Sequence, residues 1–415
     1  MAVTVNQQPS SYQPVYSPLI FEATSTQIAQ PNFTYTVKCT DLITSAVATY
    51  EVEQAPVTGE LVFDASNFAK QYVKNYIPNN VYGFQKCTDA IRKIRVNIGE
   101  TYGTTPTYYA GSNIDFIVWN GCVEALSYPS YTSTDYVYKN STNNYKYLTS
   151  DTYNTLNGWY TSNKVTYSGK SHFLYCLSSE NNDLEFIRIN AYDSSGNLLH
   201  YSDIANPYQT GTTYTDKLVC IDVGHKGLSN ISAGLVTGTY PIITASVAYY
   251  DVIDAYTNIV PTARQNVSRI YIGCEAKYDI YTLHYLDKKG NFETLHFPKK
   301  SEVNMSAEKT YYKQNPYTLS SNVWSYSTFA ANERVLNSSS QKFYKLNTDW
   351  LTKELAGMYA HIINSPVVYV DLGTSGLVPV IVSTNNLIIP NIGNREMKSI
   401  QVDMRYTFKD TWQNG

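Results

Sequence analysis

Between Tyr281 and Phe297 the chain alternates apolar and polar side chains on either side of a short polar break. Tyr281, Leu283 and Tyr285 share one parity, Thr282 and His284 the other, which is the period of a half-buried strand. Asp287-Lys288-Lys289-Gly290 then supplies a turn. An Asp there can accept from its own backbone, and Gly290 can take the left-handed conformation that closes a type I turn with a bulge. Phe292, Leu295 and Phe297 return along a second strand, so a β-hairpin is predicted. Arg188 to Tyr201 follows the same plan. Asp193 and Gly196 stand 94 residues before Asp287 and Gly290, and Asn197 matches Asn291. A hairpin recurring at that interval predicts tandem β domains of roughly 100 residues, the size of an immunoglobulin-like sandwich.

Elsewhere the patterning is again mostly that of strands. Phe33, Tyr35, Val37 and Cys39 alternate with Thr34, Thr36 and Lys38, and Ile94, Val96 and Ile98 with Lys93, Arg95 and Asn97. Phe68, Tyr72, Val73 and Tyr76 recur at helical spacing behind Asp64 or Ser66 as a cap, and Pro78 marks the stop. A second helix is predicted behind Thr348, with Trp350, Leu351, Leu355, Tyr359 and Ile362 as its apolar stripe. Ser320 to Ser340 reads as a Ser/Asn-rich interval. The expected class is all-β: tandem immunoglobulin-like β-sandwich domains with short helices and an extended Tyr/Ser/Asn-rich arm. The expected intervals are 1–125 for an N-terminal β domain with an extended leader, 126–165 for the insertion or arm, 166–262 for a second sandwich, and 263–415 for a third with a C-terminal helix.

The insertion stands out because Leu, Ile and Val nearly vanish while aromatics persist. Tyr128, Tyr131, Tyr136, Tyr138, Tyr145, Tyr147, Tyr153, Trp159 and Tyr160 are therefore the interface candidates, anchors that bury area only against a neighbour. The chain as a whole carries 40 tyrosines against 31 lysines and arginines, a surplus that suits strands and interfaces alike.

At 415 residues and 43% hydrophobic, the chain has material for several cores. A net charge of −3 and a pI near 6.1 give no general field for nucleic acid or anionic lipid. No basic, apolar leader opens the sequence, which predicts synthesis in a cytoplasm, and no run suits a membrane helix. The six cysteines are scattered with no Cys-x-x-Cys pair, so six free thiols are expected.

The motifs of nucleotide loops, zinc proteases and serine hydrolases do not occur. His284 and His296 are placed to meet across the hairpin, but no third ligand is suggested, and both are read as strand residues facing solvent or an interface. Asp183, Glu185, Asp193, Asp251 and Asp254 could supply a carboxylate pair for glycoside cleavage, yet nothing marks two as facing each other. Arg264, Arg269, Lys277, Lys288, Lys289, Lys299 and Lys300 form a mild basic concentration. No catalytic, cofactor-binding or metal residue is assigned.

Ser17-Pro-Leu-Ile-Phe21, Gln30-Pro-Asn-Phe-Thr-Tyr35 and Gly59-x-x-x-Phe63-Asp64 before a short helix resemble the opening of virion proteins from crAss-like and related Bacteroidetes phages. Cys274-x-x-Lys-Tyr278, Leu283-His-Tyr-Leu-Asp287, Gly290-Asn-Phe292 and Phe297 resemble a later signature of the same proteins, with Tyr285 and Lys288-Lys289 where Trp and Arg are usual. The resemblance covers about half the chain, leaves 126–165 aside and carries no active site. It implies a non-enzymatic ring component of the neck and tail barrel in a short-tailed phage. Its partners would be further copies of itself, roughly twelve in a ring, with the portal and other tail proteins. DNA would touch it only in passing through a channel, and no membrane is involved. A receptor-binding or fibre-type adhesion protein is the alternative, and a polysaccharide-cleaving enzyme a third.

Overall fold

The computed structural model describes residues 3–78, 82–123, 161–178, 184–208, 217–255, 267–274, 277–326, 332–351, 356–357, 359–373, 376–384 and 399–412. Strands make up 53% of the structure against 8% helix, so the chain is all-β, with two short α-helices among the described residues. It divides into two compact units, Met1–Glu275 with His284–Thr294, and Ala276–Leu283 with Leu295–Gly415.

The first unit contains two cores, each closed between two sheets. One lies between the strands Val3–Gln7, Ile20–Ser25 and Leu61–Asp64 and a five-stranded sheet. That sheet runs in the order Tyr12–Pro14, Thr107–Trp119, Ile91–Thr101, Thr34–Asp41, Val47–Val52. Alternation sets its contents: Phe21, Ala23 and Leu61 from the first sheet meet Tyr35, Val37, Cys39, Ile94, Val96 and Ile98 from the second. The other core lies beneath a six-stranded sheet in the order Thr161–Thr166, Val267–Ile272, Tyr249–Ala255, Phe186–Tyr192, Leu198–Ala205, Val236–Gly238. Ile187, Ile189 and Ala191 point inward from it to Leu174, Cys176, Val219, Ile221 and Phe84.

These pairings cross the expected intervals. Phe84–Lys86, from 1–125, pairs with Leu218–Asp222, from 166–262. Thr161–Thr166, from the expected insertion, pairs in parallel with Val267–Ile272. Strand pairing is not confined to sequence neighbours, and intervals drawn from composition alone do not register it.

On the outer face of the six-stranded sheet Tyr192, Tyr249 and Tyr271 stand opposite one another. The Tyr192 and Tyr249 rings stack at 4.9 Å, and Arg188–Asp203 and Arg269–Asp251 form two-bond ion pairs beside them. Part of the tyrosine surplus is thus a cross-strand ladder.

The second unit is built on an eight-stranded sheet, whose main path runs Phe292–Phe297, Tyr281–Leu286, Val368–Asp371, Leu377–Val382, Gln401–Tyr406, Glu333–Asn347, Glu302–Lys313. Asp410–Trp412 adds to Glu333–Asn347 off this path. Of the helix expected from Thr348, residues 352–355 and 358 lie outside the described residues, and residues 356, 357 and 359 are helical. The Thr348 amide donates to Ile400 O (2.9 Å) and the Ile400 amide to Thr348 Oγ1 (2.8 Å), so Thr348 behaves as a strand-like partner and not as a cap. Trp350 is 60% exposed, and a 3-10 turn, Ala360–Asn364, follows the helical residues. The first expected helix is one turn, Ser66–Ala69. Its N-cap is Ala65, without a side-chain cap bond, and neither Asp64 nor Ser66; Asp64 Oδ1, one residue earlier, accepts from the Ser66 and Leu19 amides (both 2.9 Å).

Cys39, Cys87, Cys176 and Cys220 are buried, Cys122 and Cys274 exposed, and all six are free. Burial pushes the Cys39 thiol up to about 12 and raises that of Cys87 as well, so neither presents a thiolate at neutral pH. In the folded protein an aromatic disulfide reagent should therefore titrate two thiols quickly, and in denaturant without reductant six. A denatured count below six would reveal a bridge or a bound metal.

Candidate functional site

The nine aromatic interface candidates, Tyr128 to Tyr160, lie outside the described residues. The surface that stands out belongs instead to the second unit. Glu302–Lys313 and Glu333–Asn347 pair antiparallel from Glu302 opposite Lys345 to Lys313 opposite Glu333. Where the partner steps from Asn337 to Val335, Leu336 is the extra residue of a bulge. Every residue of the first strand except Tyr312 is exposed. Beyond Lys313 a smaller hairpin, Tyr317–Ser320 with Val323–Tyr326, turns at Ser321 and Asn322, both left-handed (φ 49° and 61°). Two consecutive positive φ values are the requirement of a type I′ turn, for which Asn is among the best residues.

This smaller hairpin leaves large side chains in water. Tyr317, Leu319, Val323, Trp324 and Tyr326 are each more than half exposed. Residues 314–332 include no Asp, Glu, Lys, Arg or His. An uncharged, aromatic-rich ribbon held away from a core is what a partner's surface can cover. The signal available was Ser321-Asn322 flanked by Leu319 and Val323.

Polar residues of the Tyr281–Phe297 hairpin are engaged in packing. The Asp287 amide donates to Asn291 O and the Gly290 amide to Asp287 O (both 2.8 Å), and Gly290 has φ +87°, so the predicted turn is present. The Asp193 turn repeats it, with Gly196 at φ +86°. The surroundings differ. The Gly196 turn is exposed, whereas the Gly290 turn sits against Asn120–Cys122, where the Cys122 amide donates to Lys288 O (2.7 Å) and Trp119 Nε1 to Lys289 O (3.3 Å).

His284 and His296 are buried, which corrects the expectation of solvent-facing residues. Each meets a threonine across the hairpin and not the other histidine: His284 Nδ1 with Thr294 Oγ1, His296 Nδ1 with Thr282 Oγ1, both 2.9 Å. Burial, with Lys226 and Lys170 adding repulsion, brings His284 down to about 3, so it is neutral at physiological pH. Asp222 is fully enclosed and accepts from the His172 and Gly224 amides (2.8 and 2.9 Å), and burial lifts it to about 6. Lys164 Nζ and Glu293 Oε1 form an ion pair at 2.5 Å with both side chains 1% exposed, and burial raises Glu293 to about 7 despite the lysine.

Of the other carboxylates singled out, Asp251 is held by Arg269 and Asp193 by the Ser195 and Asn197 amides of its own turn. Asp183 and the side chain of Asp254 lie outside the described residues. Arg269 is thereby tied into the sheet, Lys299 pairs with Asp349 (3.0 Å), and Arg264 lies outside the described residues. No group of three or more His, Cys, Asp or Glu among the described residues is placed to hold a metal ion. No helix among them is long and apolar enough to cross a membrane. A scan of protein-family models and a search of curated proteins return no match to the chain.

Proposed function

We propose that the chain is a structural virion protein of a short-tailed bacteriophage, a ring component of the neck and tail barrel that assembles with the portal and other tail proteins. The observation that carries this reading is the exposed strand Glu302–Lys313 with the uncharged aromatic hairpin Tyr317–Tyr326 beyond it, a contact arm whose large side chains want a protein surface. The motifs behind the resemblance fall on core and turn positions, Phe21, Tyr35, Leu283, Tyr285, Phe292 and Phe297, all fully enclosed, which suits a shared scaffold more than a shared active site. The two double-layered cores suit tandem immunoglobulin-like sandwiches. Adhesion to a host receptor is the second reading, because exposed Tyr317, Trp324 and Tyr326 also suit stacking on sugar rings.

Sizing and negative-stain imaging of the purified chain separate the two. A ring protein should form high-order, closed assemblies, and replacing 314–332 by a two-residue Asn-Gly turn should reduce them to small species with an unchanged unfolding midpoint. A monomer or trimer that adheres to host cells, and loses adhesion with the same replacement, would decide for the receptor reading.

A further inference from the structure

Lys164 Nζ and Glu293 Oε1 touch in a site where neither side chain is more than 1% exposed. Both are held by strands. Thr161–Thr166 pairs in parallel with Val267–Ile272, and Phe292–Phe297 follows directly on the seated Gly290 turn. Given a C–O bond of about 1.23 Å, Nζ lies within about 3.7 Å of the Glu293 carboxyl carbon, near the roughly 3–3.5 Å that separates atoms about to react. The second carboxyl oxygen, Oε2, is buried and has no hydrogen-bond partner among the described residues. Burial, with the Asp287 carboxylate adding repulsion, favours the un-ionised acid. Other lysine pairs are different in kind: Lys93–Asp115, Lys299–Asp349 and Lys409–Glu308 have side chains at least 28% exposed, where water competes for both partners.

We propose that Lys164 and Glu293 condense to an amide, a covalent cross-link between strands 129 residues apart in the chain. One proton crosses the contact from Nζ to the carboxylate, which leaves a neutral amine beside a neutral acid. The Nζ lone pair then attacks the carboxyl carbon and a C–N bond forms. Oε2 departs as water with the acid proton and one amine proton, and Oε1 remains as the amide carbonyl. One amine and one acid thus give one secondary amide and one water, and no electrons are exchanged with any other group.

The surroundings favour each stage. A hydrogen-bonded amine approaches in the carboxyl plane, whereas attack requires its face. Oε2 has no bond to lose, so the carboxyl can turn about its last, broad torsion. The Thr294 amide, 3.3 Å from Oε1, can donate to the oxygen on which charge develops. Condensation removes two enclosed charges and the one carboxyl oxygen that lacks a partner. In open water hydrolysis would oppose the bond, but an enclosed site keeps water from the carbonyl. Freshly folded chain holds the ion pair, and the linked form accumulates on standing. The inference does not depend on the assembly reading.

The test is mass spectrometry of the full chain, at folding and again after days at neutral pH, with proteolytic mapping. The aged chain should be lighter by one water, and one branched peptide should join the segments that contain Lys164 and Glu293. Its closed loop should make it migrate ahead of fresh chain on a denaturing gel, and reductant should not reverse the shift. Lys164→Arg keeps a cation against Glu293 but offers no amine, so it should lose no water and show no shift. Where that variant folds poorly, mapping of the unaltered chain decides alone, with Lys93, Lys299 and Lys409 as lysines that should stay unlinked. Recovery of Lys164 and Glu293 in separate, unmodified peptides from aged chain would overturn the proposal, and so would a loss of water that maps to other residues.

Discussion

Gly290→Ala should destabilise the protein by more than about 3 kcal/mol, while Gly196→Ala, at the same place in the same kind of turn, should cost only about 1 kcal/mol. Both glycines are left-handed, at φ +87° and +86°, so the conformational strain of adding a side chain is shared. The difference lies in what a Cβ would meet. At Gly196 the nearest atom is Tyr249 Oη at 3.5 Å, an ordinary contact. At Gly290 a Cβ would fall 0.9 Å from Asn120 O and 2.1 Å from Asn120 C, so the turn must withdraw from Asn120–Cys122. Withdrawal also removes the bonds from the Cys122 amide and Trp119 Nε1 to the turn. Urea unfolding of the two variants beside the parent checks this. Equal losses would mean that turn strain alone matters and that the seat of the turn contributes nothing.

Removing one side of the Lys164–Glu293 pair should have a similar effect. With Lys164→Met, Glu293 stays enclosed without a counter-charge, and a loss of about 3–5 kcal/mol is expected at pH 8. Lys164→Met combined with Glu293→Gln removes both charges and should recover much of it. The pH dependence has a definite sign. Glu293 is raised from 4.5 to about 7 in the folded state, so its favourable contribution is complete below 4.5 and is lost as pH rises through 7. His284 acts oppositely, since a histidine lowered to about 3 costs stability as pH falls below 6.5. The comparison must therefore be between chains. Relative to the parent, the double variant should gain about 2–3 kcal/mol between pH 4.5 and 7, from a shift of about 2.5 pH units opposed by screening. A difference that stays flat across that window would show that Glu293 titrates normally.

The hairpins were legible because both of their signals are local: alternation on each side, and an Asp and a Gly at fixed offsets in the turn. The burial of the second was less so. Tyr281–Leu286 alternates as a one-sided strand does, yet Thr282 and His284 are as enclosed as Leu283 and Tyr285, and the Thr282 hydroxyl and His284 Nδ1 find partners across the hairpin. Sequence period reports which side chains are apolar, and a polar residue with a paired neighbour can sit inside without disturbing it. The exposed ribbon was hidden for the converse reason. Both faces of Glu302–Lys313 are in water, so no alternation between core and solvent was imposed on it. Thr348 had the pattern of a helix cap, but its hydroxyl accepts from Ile400, 52 residues away, a partner no local pattern reports.

The seat of the Gly290 turn also bears on how the chain can be made. Trp119 and the Lys289 carbonyl it grips are separated by 170 residues, and Lys164 and Glu293 by 129. A ribosome delivering the chain from its N-terminus releases the slot first, along with a lysine whose counter-charge has not yet been synthesised. Until residue 294 emerges, the nascent first unit carries an open groove and an uncompensated cation. Its final closure is therefore a late event set by translation, and a chaperone that occupied the groove in the meantime would be bound to the same strand ends that Gly290 later fills.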